Sequence, residues 1–207
     1  MHAVEAQRYP RVARAPTRYG VVFVLGWVVA WVAVLLSDGT GQAAGRYVIT
    51  PEKSQFQFRA YSLFANPLGT FRRFSGDILT DADNVGASRV RLVIEAASID
   101  TGNTKRDKHL RNEDFLFVQR YPTIIFTSAA ITQDAATYQV QGDLQIRGVT
   151  RRMTISVTVE VGPDNLVVRG EIQLNRKDFG ITYNAFFNPV KDRVDVMFTI
   201  VGVRPGF

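Results

Sequence analysis

Tyr138-Gln139-Val140-Gln141-Gly142-Asp143-Leu144-Gln145-Ile146, then Arg147-Gly148, then Val149-Thr150-Arg151-Arg152-Met153-Thr154-Ile155-Ser156-Val157-Thr158-Val159-Glu160 is the stretch that decides how this chain folds. Tyr138, Val140, Leu144 and Ile146 alternate with Gln139, Gln141, Asp143 and Gln145, and Met153, Ile155, Val157 and Val159 alternate with Thr154, Ser156, Thr158 and Glu160. Period two is the pattern of a strand with one face in a core and the other in water. The Arg-Gly pair between the two runs is short turn chemistry, which favours antiparallel neighbours.

The same alternation recurs on both sides. Phe56, Phe58 and Ala60 interleave with Gln55, Gln57 and Arg59, and Val90, Leu92 and Ile94 with Arg89, Arg91 and Glu95. Val168, Ile172 and Leu174 face opposite Arg169, Glu171 and Gln173, and Val194, Val196, Phe198 and Ile200 lie opposite Asp195 and Thr199. Strands over 70–79 and 123–129 bring the total to about eight, with turns at Asn66-Pro67, Asp83-Asn84, Gln133-Asp134 and Gly162-Pro163-Asp164-Asn165. The fold class is therefore all-β. Apolar faces on antiparallel strands are buried together by a closed barrel, which also removes the sheet edges; a two-sheet sandwich satisfies the alternation as well.

One connection is long. Between Ser98 and Pro122, Asn103 or Thr104 is suited to cap a helix, and Lys105 to Phe117 gives about three turns with Leu110 and Phe117 toward the body, a helical crossover over about 100–118. This segment holds His109, the only histidine outside the N-terminal region. Asp107 is two residues from His109 and points to another side of a helix, and no nucleophile motif accompanies them. No catalytic residue is assigned; an acid-base enzyme acting on a lipid-like substrate through His109, with Asp107 or Asp114, is the alternative.

At 207 residues, 46% hydrophobic and 21% charged, the chain has the length and composition of one domain with a real core. Its beginning reads differently. Arg8, Arg11, Arg14 and Arg18 precede the apolar run Val21 to Leu36, and small residues follow at Gly41 and Ala43. Residues 1–43 are thus expected to be a signal peptide cut before Ala44, leaving the domain 44–207 periplasmic or secreted; an uncleaved membrane anchor through 21–36 is the competing reading. The absence of cysteine excludes disulfides, thiolate metal sites and lipid attachment through cysteine, and with only two histidines no metal and no cofactor is assigned. Beyond residue 43 the excess is about four positive charges, thinly spread. That suits anionic headgroups or transient contact with a membrane surface and does not suit nucleic acid.

Six ordered blocks carry a resemblance: Ser98-Ile99-Asp100-Thr101-Gly102, Arg106-Asp107-Lys108-His109-Leu110, Asp114-Phe115, Tyr121-Pro122-Thr123-Ile124-Ile125-Phe126, Gly142 to Thr150, and Arg176-Lys177-Asp178-Phe179-Gly180-Ile181. In these the chain resembles the YceI family over nearly all of residues 46–203. The resemblance implies an exported eight-stranded, lipocalin-like antiparallel barrel. Its apolar interior would hold one isoprenoid or similar amphiphile, such as an isoprenoid quinone or a prenyl phosphate, for transport, storage or sequestration. One departure bears on the ligand. Where the family usually has His-Ser early in the first strand and a second histidine at its end, this chain has Lys53-Ser54 and Tyr61, so a headgroup contact through those histidines is not carried over.

A barrel of eight strands is about wide enough to be filled by its own side chains, the structural alternative, or to enclose one small ligand. Small residues in the apolar phase, Ser54, Ala60, Gly142 and Gly170, share that face with large aromatics and leave room. The expected cavity wall is Phe56, Phe58, Phe126, Leu144, Ile146, Val157, Ile172 and Phe198. Candidates for a headgroup at the barrel mouth are Arg72, Arg106, His109, Arg151 and Arg176, with Arg73 and Arg152 beside them, because a guanidinium can fork onto phosphate or bond a quinone carbonyl. The expected partners are the amphiphilic lipid, a membrane surface and, as an option, a second copy in a homodimer. An outer-membrane barrel is disfavoured: Pro205 breaks a terminal strand, and the polar strand faces suit water.

Overall fold

Each alternating run becomes a strand, and the strands form one antiparallel sheet that closes on itself. The computed structural model describes residues 44–184, 186 and 189–206; the export signal expected over 1–43, with its apolar stretch 21–36, lies outside them. In chain order the elements are β1 (Gly45–Ile49), β2 (Gln55–Ser62), β3 (Leu68–Phe71), β4 (Phe74–Thr80), β5 (Arg89–Glu95), β6 (Ile99–Asp100), α1 (Thr104–Arg111), β7 (Thr123–Asp134), β8 (Thr137–Ile146), β9 (Val149–Val161), β10 (Asn165–Asn175) and β11 (Val190–Val203).

The expected eight strands are present as eight staves, three of which are broken. β1 and β2 form the first, β3 and β4 the second, β5 and β6 the third; β7 to β11 follow singly. β11 closes the barrel by pairing with β1 at Val203 and Gly202 and with β2 from Thr199 to Val190. A closed up-and-down barrel, rather than a sandwich, is the result.

The breaks change which residues face inward. In the second stave Phe71 and Phe74 are both buried, so the inward parity switches across Arg72 and Arg73. Those two arginines point outward and are held by carboxylates of the third stave, Arg72 Nε to Asp100 at 2.6 Å and Arg73 Nη2 to Glu95 at 2.7 Å. In the first stave Tyr47 and Ile49 are inward before the 3₁₀ turn Pro51–Lys53, and Phe56 and Phe58 after it. Ser54 pins that turn, donating to Thr50 O and accepting from Val201 N. Such interruptions bend a strand and re-aim its side chains, which a small barrel needs at its corners.

Two expectations are corrected. The turn after β7 falls at Ala135, with φ of 50°, so the strand runs through Gln133-Asp134. The crossover helix is eight residues, Thr104–Arg111, rather than 105–117. Asn103 caps it by accepting from Arg106 N, and Asn112, with ψ of 174°, leaves the helical region and ends it. Phe117 then takes a φ of 48° and packs edge-on against Tyr121, so Phe115 and Leu116 turn to the interior where Phe117 was expected. The Arg147-Gly148 turn matches its reading: φ of 51° and 76° is the doubly left-handed geometry of a tight hairpin.

Inside, the half of the barrel away from α1 is the more closely packed, with Tyr47 and Leu166 each 1% exposed. Outside, the polar faces are laced by ion pairs, and Asp195 on β11 is the most enclosed of them. It accepts from Tyr61 Oη at 2.6 Å and from both forks of Arg193 at 2.7 and 2.9 Å, tying β2 to β11 where the barrel closes. Arg193 first, then Tyr61, hold its carboxyl down to about 2. A folded-state pKa below the ordinary value of about 3.9 means the contribution is complete above that value and is lost as pH falls toward about 2. Asp195→Asn is therefore expected to lower Tm at neutral pH and to make the acid limb between about pH 4 and 2 shallower than in the native protein. Thermal melts across pH check this; parallel acid limbs would overturn it.

Candidate ligand cavity

A barrel lined by so many phenylalanines stays hollow because several of the rings lie against the wall. Phe198 on β11 faces Gly170 of β10, Phe58 on β2 faces Gly69 of β3, and Phe126 on β7 leans over Gly142 of β8. A methyl group at Gly142 would lie 2.6 Å from Phe126 Cζ, and one at Gly170 2.5 Å from Phe198 Cζ; at Gly69 it would collide with the Phe58 ring. Glycine on one strand lets the aromatic ring of its neighbour fold flat where a side chain would push it across the lumen. Phe56 completes the arrangement, stacked on Phe198 with centroids 6.1 Å apart and an interplanar angle of 12°.

The space left is a cavity of about 190 Å³ in the half of the barrel beneath α1. Seven of the eight expected wall residues line it: Phe56, Phe58, Phe126, Leu144, Ile146, Ile172 and Phe198. Val157 instead faces a second, smaller cavity of about 70 Å³ in the other half, because β9 has passed the lumen's midpoint there. Phe126, Ile155 and Phe198 border both cavities and form the partition between them. The end wall comes from residues that strand periodicity does not reveal: Leu110 of α1, Phe115 and Leu116 after it, and Phe179 and Ile181 in the segment before β11. The only hint in the sequence is apolar residues inside an otherwise charged block.

Among the described residues Arg176 is the one charged residue on the lining, and it is 5% exposed. Its guanidinium is spent on the chain. Nη1 donates to Ile181 O and Tyr183 O, both at 2.7 Å, Nη2 to Val190 O and Asp192 Oδ1, and Nε to Lys191 O. Gly180, with φ of 72°, turns the backbone so that these carbonyls converge on the cation. The group ties Ile181 and Tyr183 to Val190, Lys191 and Asp192 at the barrel end and keeps no donor for a ligand inside.

The other headgroup candidates are engaged elsewhere. Arg72 pairs with Asp100, and Arg151 Nε donates to Asp178 O at 3.0 Å, both on the outside. Arg106 donates to Thr101 Oγ1 and Thr101 O, while buried Asp107 accepts from the Thr101 amide and hydroxyl. Together with Arg111, which donates to Ala97 O and Ile99 O, they fasten α1 to β6. His109 Nε2 lies 3.0 Å from Asp114 Oδ2, its ring wedged edge-on between Phe115 and Tyr183. Neither His109 nor Asp114 lines the cavity. Tyr61, at the position of the family's second histidine, points outward to Asp195. The polar block around His109 is thus a clamp on the barrel's end.

A closed eight-stranded antiparallel barrel with a carbon-lined lumen under a helical clamp defines a lipocalin-like class of barrel. Within that class, the YceI-like domain family matches residues 47–202, and the chain belongs to this family. Protein YceI of Escherichia coli O6:H1 is 35% identical over 144 residues, covering 66% of this chain and 73% of that protein. The crystal structure of Burkholderia cenocepacia BcnA is similar with a TM-score of 0.70 at 24% identity, over 74% of this chain and 98% of that one. A polyisoprenoid binding domain from Saccharophagus degradans, implicated in plant cell wall breakdown, has a TM-score of 0.62 at 16% identity, over 77% of this chain and 98% of that one. At these identities the two structures bear on the fold alone.

The glycine-backed rings make the cavity sensitive to a single methyl. Gly142→Ala or Gly170→Ala is expected to cost about 1–3 kcal/mol of stability and to drive Phe126 or Phe198 into the lumen. Uptake of an apolar dye such as phenylnaphthylamine should fall at least several-fold, read by fluorescence titration. Unchanged uptake in both variants would show that the rings do not set the free volume.

Proposed function

We propose that this barrel holds the apolar tail of an isoprenoid-like amphiphile, an isoprenoid quinone or a prenyl phosphate, and carries, stores or sequesters it outside the cytoplasm. The observation that carries the reading is the chemistry of the cavity. Among the described residues its wall is hydrocarbon but for one buried cation, Arg176, which has every donor committed to the chain. A polar head inside would lose its hydrogen bonds to water without replacement, so it stays at the barrel end while the tail enters. The ligand class that the YceI resemblance implies is the same.

Magnitudes shape what this site does. Each five-carbon prenyl unit taken from water is worth on the order of 3–4 kcal/mol, but a bilayer offers the tail the same gain. A carrier therefore needs only to match the membrane on the tail. A dry engineered cavity of about 150 Å³ takes up benzene, so the main cavity of about 190 Å³ seats a short apolar segment with the rings as they stand. A longer tail has to swing Phe126 or Phe198 aside and run into the second cavity. The reading is binding rather than catalysis, since neither member of the His109–Asp114 pair is on the cavity lining.

Purified full-length protein, extracted into organic solvent and analysed by mass spectrometry, is expected to release one prenyl-tailed species. Phe198→Ala, which joins the two cavities, should shift the extracted or exchanged tails toward greater length. A barrel that is reproducibly empty and takes up no prenyl compound would overturn the proposal; uptake with the same length preference in Phe198→Ala would remove the partition's role.

A further inference from the structure

β2 and β3 are joined by Leu63-Phe64-Ala65-Asn66-Pro67, and the turn is tightly made: Ser62 N and Ser62 Oγ both donate to Ala65 O at 2.8 Å, and Ser62 Oγ accepts from Ala65 N at 3.2 Å. Yet the two large side chains at its tip face solvent, Leu63 63% and Phe64 76% exposed. Leu68, 42% exposed, continues the apolar strip into β3. The tip stands at the cavity end of the barrel. Ser62 pairs with Val190, and both Val190 and Ala60, two residues before Ser62, line the cavity.

Charge distinguishes the two ends of the barrel. Apart from the buried Arg176 and Asp107, the connections at the tip's end, residues 63–67, 101–122, 147–148 and 176–184, hold seven lysines and arginines against three aspartates and glutamates. Those at the other end, 81–88, 135–136, 162–164 and 204–206, hold one against three. Lys105 and Lys108 stand exposed on α1 and enter no ion pair among the described residues. A rigid apolar tip set in a cationic face, at the end that holds a tail-binding cavity, matches one surface chemistry: acyl chains beneath anionic headgroups. A second copy of the chain would bring the same positive face against this one.

We propose that Leu63 and Phe64 are the docking tip through which the barrel seats its cavity end on an anionic bilayer, inserting between headgroups while the surrounding cations hold the surface. The inference rests on the lipid-holding reading of the cavity and names the surface from which the tail is drawn. Moving each side chain out of water strengthens association roughly tenfold to a hundredfold, and the cationic ring makes the contact depend on salt.

The chain contains no cysteine, so a single one reports its own surroundings. Full-length Phe64→Cys and, at the opposite end, Asp83→Cys would each carry a nitrobenzoxadiazole label and be mixed with phosphatidylcholine vesicles with or without phosphatidylglycerol. The label at position 64 is expected to shift to the blue and brighten several-fold with phosphatidylglycerol present, and to lose most of that response in high salt; the label at 83 is expected to stay unchanged. Tethering of the whole protein through its N-terminal apolar stretch would not single out position 64. Silence at 64, equal responses at both positions, or a response at 64 that needs only more protein and no vesicles would overturn the proposal, the last by assigning the tip to a second copy. The mass-spectrometric result is read separately: a filled barrel with a silent tip overturns docking alone, and an empty barrel with an inserting tip overturns the cavity reading alone.

Discussion

A barrel exists only if its last strand finds its first, and here that closure is made by one strand against two. β11, 14 residues long, pairs with β1 near its end and with β2 along most of its length. Everything else depends on that seam. It encloses the lumen, it removes the exposed edges that an open sheet of this size would leave, and it brings Tyr61, Arg193 and Asp195 together on the outside. The break at Pro51–Lys53 between β1 and β2 is part of the same device, because it switches the inward parity and lets both pieces present their apolar faces to a common interior.

Closure alone gives a filled barrel as readily as a hollow one. What tips this one toward a cavity is the pairing of phenylalanine with glycine on the neighbouring strand. Volume that the missing side chains would have occupied is taken by rings lying along the wall, and the centre is left open. The arrangement also divides the lumen, since Phe126 and Phe198 border both cavities. The same rings therefore border all of the open space and divide it in two.

The charged block that draws attention in the sequence has a structural task. Asp107, Arg106 and Arg111 bind α1 to the strand edge, and Arg176 gathers five acceptors, on Ile181, Tyr183, Val190, Lys191 and Asp192, at the barrel's end. A buried cation as fully satisfied as Arg176 is costly to disturb and specifies one arrangement of the residues it binds. Polarity at this end frames the apolar site without supplying its chemistry.

The alternation of Phe56-Phe58, Leu144-Ile146 and Ile172-Leu174 was enough to determine strands, their inward face and most of the cavity wall, because a half-buried strand has no other way to be written. The YceI family was legible in the same way, from ordered blocks that are close to one another in sequence. The parity switch between Phe71 and Phe74, the turn of Phe115 and Leu116 into the lumen and the placement of Val157 in the second cavity were decided only by tertiary structure. Period two records which side of a strand is apolar. It carries no information on where a stave breaks, how far along the barrel a residue stands, or which distant carbonyls will surround an arginine, since those follow from closure and from contacts between residues remote in the chain.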